Sequence, residues 1–288
     1  MNLASKICSV FGLTSGLMLG PSLHGVGAVD SKPLRWLFAS NAAAALASNA
    51  DVSGLLDSTQ PFVFRGRTPN ELPPGWKAVP LRSFKSFDGI RNALEAKALG
   101  PDVKGVMYDY ENWRFTPAEE RQDPARRLKQ AADLVHAQGL LFFTAPAVDL
   151  VTVLAPDGDR KRQDETYLRL GLAADAARYA DVFDVQSQRF ERDTERYAKF
   201  VRQAAAQARQ ANPKVMVLAG VSTQPSGQHV TADEILRAID GTRDVVDGYW
   251  FNIPGPSEYS PAVTEFRPDI AVVVLRQLAG RRGLRHGE

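Results

Sequence analysis

Gly105-Val-Met-Tyr-Asp-Tyr-Glu-Asn-Trp113 is followed by a helical stretch over 117–138 and then by Leu140-Leu-Phe-Phe-Thr-Ala-Pro-Ala147, a strand, helix, strand sequence. The outer runs are short and rich in β-branched and aromatic residues, whereas the middle stretch repeats apolar residues at helical spacing. Comparable apolar runs occupy 34–40, 62–66, 78–84, 182–188, 215–222 and 248–253, which makes eight in all. Helical patterns fill 87–99, 165–180, 191–211, 232–239 and 269–278. Strands alternating with helices form parallel βαβ units, and eight such units close a (β/α)8 TIM barrel. Two connections fit less well, because 41–60 holds only an Ala-rich helix and 67–76 is a Pro-rich loop, so the second β/α unit is expected to be irregular. An open doubly wound sheet is the competing topology, but no GxGxxG follows the first strand. Two capping boxes, Thr116-Pro-Ala-Glu119 and Thr231-Ala-Asp-Glu234, are expected to open helices, and Gly139 to close one.

The barrel assignment covers 29–280 as a single α/β domain. Residues 1–28 carry Lys6, an apolar stretch and Val26-Gly27-Ala28, the layout of a cleaved secretory signal, and residues 281–288 read as a basic tail. A secreted or periplasmic protein is therefore expected, free of the membrane once the signal is removed. Thirty-five basic residues against thirty-three acidic ones give a net charge of +2, too little to draw the chain to a nucleic acid. Cys8 is the single cysteine, which excludes an internal disulfide, a zinc ribbon and a CxxC redox pair. The four histidines His24, His136, His229 and His286 show no metal-ligand spacing, so neither metal nor cofactor is expected. Ser222, Ser226 and Ser257 lack a nucleophile elbow. Nothing in the pattern speaks to oligomeric state.

In a TIM barrel, chemistry sits at the C-terminal ends of the strands. Asp109 and Glu111 lie there, one residue apart and so on one face, about 6.6 Å apart at the strand rise, with Tyr108 and Tyr110 turned under the helices. Like charge and partial burial raise a carboxyl pKa, the condition for a general acid. The plainer reading pairs them with Arg65, Arg82 or Lys104 to fix a loop. Asp149 and Asp184 are alternative second carboxylates, read more simply as a solvated loop residue and an early-strand ion pair. Trp36, Trp76 and Trp113 are either sugar-stacking or core residues.

From Lys104 to Glu111 the chain resembles glycoside hydrolase family 18, the chitinase and endo-β-N-acetylglucosaminidase barrels, whose fourth strand ends in D-x-x-D-x-D-x-E. Asp109 and Glu111 match the last two acidic positions, and Trp250 in the eighth run matches the family's tryptophan floor. The resemblance implies Glu111 as proton donor, Asp109 as the residue holding the substrate acetamido group, and Trp250 beneath the sugar. It implies hydrolysis next to 2-acetamido sugars in which the acetamido carbonyl is the nucleophile, an exception to the two-carboxylate scheme. Lys104 and Met107 replace the first two aspartates, and Gln186 and Gln188 stand where the family has M-x-Y. Gln186, Gln188 and Asn252 are accordingly the further candidates for sugar contacts. A non-catalytic glycan-binding barrel and a two-carboxylate glycosidase of another barrel family are the rival functions.

Overall fold

The protein, described here by a computed structural model, is defined for residues 33–65 and 72–283. The expected signal at 1–28 lies outside the described residues, as do 284–288 of the expected tail. Eight parallel strands close a barrel in the order β1 to β8. They are β1 Arg35–Ala39, β2 Phe62–Phe64, β3 Val79–Phe84, β4 Gly105–Tyr108, β5 Leu141–Thr144, β6 Val182–Val185, β7 Met216–Ser222 and β8 Gly248–Asn252. β8 returns to pair with β1, with Trp250 opposite Leu37. Gly248 is required at this seam, since a Cβ there would collide with the Arg35 backbone.

Helices α1 Ser40–Ala47 and α2 Ala50–Asp57 follow β1, two short elements where one weak helix was expected. No helix is described between β2 and β3, in keeping with the irregular second unit. α3 Phe87–Glu95 follows β3. The expected 117–138 helix is two, α4 Ala118–Gln122 and α5 Pro124–His136. The break falls at Pro124, which takes the first helical position while Asp123 accepts the Arg126 N–H at 3.2 Å. After β5 come α6 Val151–Leu154, α7 Gln163–Arg169 and α8 Leu172–Ala177, the last two separated by Gly171 at φ +71°. α9 Thr194–Ala211, α10 Ala232–Asp240 and α11 Pro268–Gly283 complete the outer ring. The Thr231 capping box forms as expected, and Gly139 adopts φ +69° past α5. No described helix is long and apolar enough to cross a membrane.

Alternation along the strands creates two cores. Outward residues such as Trp36, Phe38, Tyr108, Phe142 and Phe183 pack against the helices. Inward residues Leu37, Phe62, Leu81, Met107, Phe143, Val182 and Leu218 fill the barrel. The strand registers stack the inward residues in layers drawn from alternate strands. Leu37, Leu81, Phe143 and Leu218 form one layer, and Phe64, Met107, Asp184 and Trp250 the next. Above it lie only small residues, Ala39, Ser83, Ala145 and Gly220, and above these Asp109, Gln186 and Asn252. The interior is thus mainly apolar below, with Arg35 over Phe62 at the N-terminal end and Asp184 in the second layer, and polar toward the C-terminal mouth.

Candidate active site

β4 ends at Tyr108, but the backbone stays tied to its neighbours: Asp109 N–H donates to the Phe84 carbonyl at 2.9 Å and Ala147 N–H to the Tyr110 carbonyl at 3.2 Å. Asp109 is held at the mouth, 3% exposed, with its carboxylate in an ion pair with Lys85 and accepting from Gln186 Nε2 at 2.9 Å. Gln186 Nε2 also donates to the Ala145 carbonyl at 2.9 Å, which fixes its orientation. Strands β3, β4 and β6 thereby meet through three polar side chains. The counter-ion is none of those expected from the sequence: Arg65 pairs with Asp102 at 2.8 Å, Arg82 reaches the Ala98 carbonyl at 3.4 Å, and Lys104 is exposed just before β4, at the opposite end of that strand. Lys85 was legible in principle, four residues after Leu81 and so on the same inward face.

Glu111 is half-buried in the loop that leaves β4. Burial, followed by the charges of Asp109 and Asp149, pushes its carboxyl up to about 8, while Lys85 and Gln186 pull it the other way. The shift favours its protonated form, beside the ion-paired Asp109. The loop is fixed by Thr116, whose hydroxyl donates to the Lys85 carbonyl at 2.8 Å and accepts the Glu111 N–H at 3.3 Å and the Trp113 Nε1–H at 2.8 Å. The Thr116 capping box expected from the sequence does not form, because Pro117 is the N-cap of α4 and the Thr116 hydroxyl is spent on the loop. Thr116→Val, which keeps shape and removes all three bonds, should cost about 1–3 kcal/mol in chemical denaturation. Thr116→Ser should stay close to wild type, and a Val variant as stable as the Ser variant would deny the hydroxyl this role.

Two further carboxylates differ from their plainer sequence readings. Asp149, in the turn after β5, is half-buried and accepts the Asn112 N–H at 3.1 Å, so it is anchored near Glu111 instead of solvated. Asp184 is completely buried inside the barrel, and among the described residues it has no ion-pair partner and neither carboxyl oxygen has a hydrogen-bond partner. Burial, and then the charge of Asp109 above it, raises its carboxyl well above the usual range. That burial favours its protonated form.

Trp250 faces the barrel interior from β8 and meets Phe64 edge-on, with centroids 5.6 Å apart. Asn252 lies two residues further up, partly exposed. Gln188 begins the short turn after β6 and turns its Oε1 toward Gly220, where a Cβ would collide with it. The structure therefore brings Asp109, Glu111 and Gln186 together, sets Trp250 and Asn252 along β8, and places Gln188 against β7. Around the layer of small residues, Ser83 Oγ, Trp250 Nε1, Gln188 Oε1 and both Asp184 oxygens are buried without a protein hydrogen-bond partner. Such unmet capacity suits a ligand bearing several polar groups. Of the other tryptophans, Trp36 and Trp76 are core residues, 2% and 7% exposed, and do not reach the mouth. Trp113 does, with Lys85 Nζ 5.1 Å from its ring centroid.

Elsewhere, a surface pocket of about 350 Å³ lies by the start of α9 among Arg189, Arg192 and Arg196. Its arginines are already engaged, by Gln163, Glu234 and Asp164 respectively, so the mouth of the barrel remains the stronger site. Among the described residues no cluster of three His, Cys, Asp or Glu side chains could hold a metal ion.

No family profile matches the chain, and no curated protein matches it. Solved structures similar to it include a candidate alpha-L-fucosidase from Bacteroides thetaiotaomicron, at 9% identity over 87% of this chain and 95% of that one, with a TM-score of 0.47. The N-terminal domain of a candidate aldolase from Bacteroides vulgatus is similar at 13% identity over 87% and 81%, with a TM-score of 0.48. Triosephosphate isomerase from Bartonella henselae is similar at 12% identity over 76% and 92%, with a TM-score of 0.39.

Proposed function

We propose that the chain is a glycoside hydrolase whose proton donor is Glu111 and whose substrates carry a 2-acetamido sugar at the scissile bond. The observation that carries this reading is the pairing of Glu111 with Asp109, itself ion-paired to Lys85 and hydrogen-bonded by Gln186, at the C-terminal mouth of a barrel, where burial and the neighbouring carboxylates push the Glu111 carboxyl up. Glu111 gives its proton to the glycosidic oxygen as the bond to the anomeric carbon breaks. The acetamido carbonyl attacks that carbon from the other face, and Asp109 accepts the acetamido N–H and balances the positive charge. Glu111, now ionised, takes a proton from the water that opens the cyclic intermediate. Asp109, engaged by Lys85 and Gln186, exchanges one of these contacts for the acetamido N–H when substrate binds. Trp250 would lie under the sugar, while Gln186, Gln188 and Asn252 would take its polar groups. We further propose that residues 1–28 direct export.

Asp149 supports a second reading. Its charge acts on Glu111, so a two-carboxylate mechanism would draw its base or nucleophile from β5. Loss of two aspartates and a tyrosine from the family pattern supports a third, a glycan binder without turnover. Turnover on matched N-acetylated and de-acetylated glycosides separates the three. The substrate-assisted reading expects cleavage of the N-acetylated compounds alone, and tight binding of the thiazoline that mimics the cyclic intermediate. Undiminished cleavage of de-acetylated glycosides, lost in Asp149→Asn, would replace it with the two-carboxylate scheme. Binding without cleavage of any glycoside would leave the binder.

A further inference from the structure

We propose that the site is a pocket receiving the end of a glycan chain, closed to the middle of one, an inference that rests on the glycosidase reading above. In a ring of eight strands β4 and β8 stand on opposite sides of the barrel. The segments that follow them nevertheless touch. Arg114, after β4, forms an ion pair with Glu258, after β8, at 2.9 Å. Tyr259 packs on Phe115 and Trp113 with centroid separations of 4.7 and 6.2 Å. The Arg114 guanidinium lies 4.7 Å from the Phe115 centroid, so the contact is a small aromatic cluster edged by charge. The β8 segment also lies against the turn after β7, with Ala262 beside Gly227, so in reaching the β4 segment it covers part of the mouth, and the two together form a bridge over it.

The bridge is joined to the catalytic loop, because Trp113 Nε1–H donates to the same Thr116 hydroxyl that accepts the Glu111 N–H. Trp113 also carries Lys85, the partner of Asp109, against its ring. Exposure is uneven around the bridge. Ala145, Gln186 and Ser222, at the C-terminal ends of β5 to β7, are buried, whereas Ala39, Phe64 and Lys85, at those of β1 to β3, and Trp250 on β8 are partly exposed. Approach is from one side. A polymer lying across the mouth would have to pass through the bridge, whereas a terminal sugar or a compact glycoside enters beside it and settles toward Trp250. The ion pair is exposed and contributes little by itself, so the ring contacts carry most of the closure.

The test compares a β-1,4-linked N-acetylglucosamine hexamer with the same hexamer bearing bulky caps on both terminal sugars. Wild-type protein should cleave the capped chain at least about tenfold more slowly than the free one. The Arg114→Ala/Tyr259→Ala double variant should recover cleavage of the capped chain, while Tyr259→Phe, which keeps the ring, should behave as wild type. Equal cleavage of both hexamers by wild type would overturn the proposal. If neither hexamer is cleaved or bound, the glycosidase reading fails, and hydrogen exchange then judges the bridge alone. Amides of 111–116 and 256–260 should lose protection together in the double variant, and unchanged protection over 111–116 would overturn the bridge.

Discussion

Glu111→Gln is expected to lower turnover by about 10²–10⁴-fold while leaving glycan affinity near that of the wild type, since the amide keeps the shape of the acid but has no proton to give. A general acid works in its protonated form. With the carboxyl raised to about 8, the wild-type rate should hold up to that pH and fall about tenfold per unit above it. A wild-type limb near pH 4.5 instead would mean that Glu111 is not shifted, and an active Gln variant would remove it as the donor. The same shift acts on stability. Between about 4.5, its ordinary value, and about 8 the folded chain binds more protons at Glu111 than the unfolded chain does, so stability falls as pH rises through that window. Glu111→Gln should therefore be more stable than wild type at pH 8, by something of the order of 1–3 kcal/mol after allowing for the side chain's partial exposure. The advantage should shrink to nothing toward pH 4.5. Denaturant melts at the two pH values measure it, and a Gln variant less stable at both would contradict the assignment.

Lys85→Met is expected to be the most damaging single change at the mouth. It leaves Asp109 buried without its cation, directly above Asp184 and beside Glu111. Breaking a buried pair from one side costs about 3–5 kcal/mol, and because the Lys85 side chain is 29% exposed the lower figure applies, roughly 6–12 °C in Tm for a domain of this size. The Lys85→Met/Asp109→Asn double variant should regain most of that loss, because the isolated charge is gone. Neither variant should turn over substrate. A loss below about 1 kcal/mol in the single variant would place the pair among ordinary surface contacts.

The barrel was legible because short apolar runs alternate with helical patterns and the runs number eight. Boundaries were less so. Gly171 and Pro124 break helices whose apolar spacing continues through the break, since periodicity records which face is buried and not where the backbone turns. Asp109 and Glu111 stood out as a pair on one face at a strand end. Lys85 did not, because a lone lysine after an apolar run reads as surface; what makes it a site residue is the register that sets β3 beside β4. Asp184 reads from the sequence as an early-strand ion pair. A single acid early in a strand is unremarkable until the barrel closes and leaves it inside with no partner. Thr116 obeyed its local sequence signal only until tertiary structure offered its hydroxyl three better partners. The bridge between the β4 and β8 segments has no sequence signal, because Arg114 and Glu258 are 144 residues apart.

The seam between β1 and β8 ties the first strand of the described chain to the last, with Leu37 waiting for Trp250, which follows it by 213 positions. On a ribosome delivering residues in order, β1 to β7 can pair with one another while both edges of the unfinished sheet remain open. The inward apolar faces of those strands, Leu37, Phe62 and Leu81 among them, then have no closed interior to fill. Translation through β8 and on into α11, which packs against α1 and α2 beside the seam, is what seals the ring. A nascent chain stalled before Gly248 would expose two strand edges at once and become a client for chaperones or a seed for aggregation. The candidate site is completed at the same moment as the fold, because the strand that seals the ring also carries Trp250 and leads into the segment bearing Tyr259.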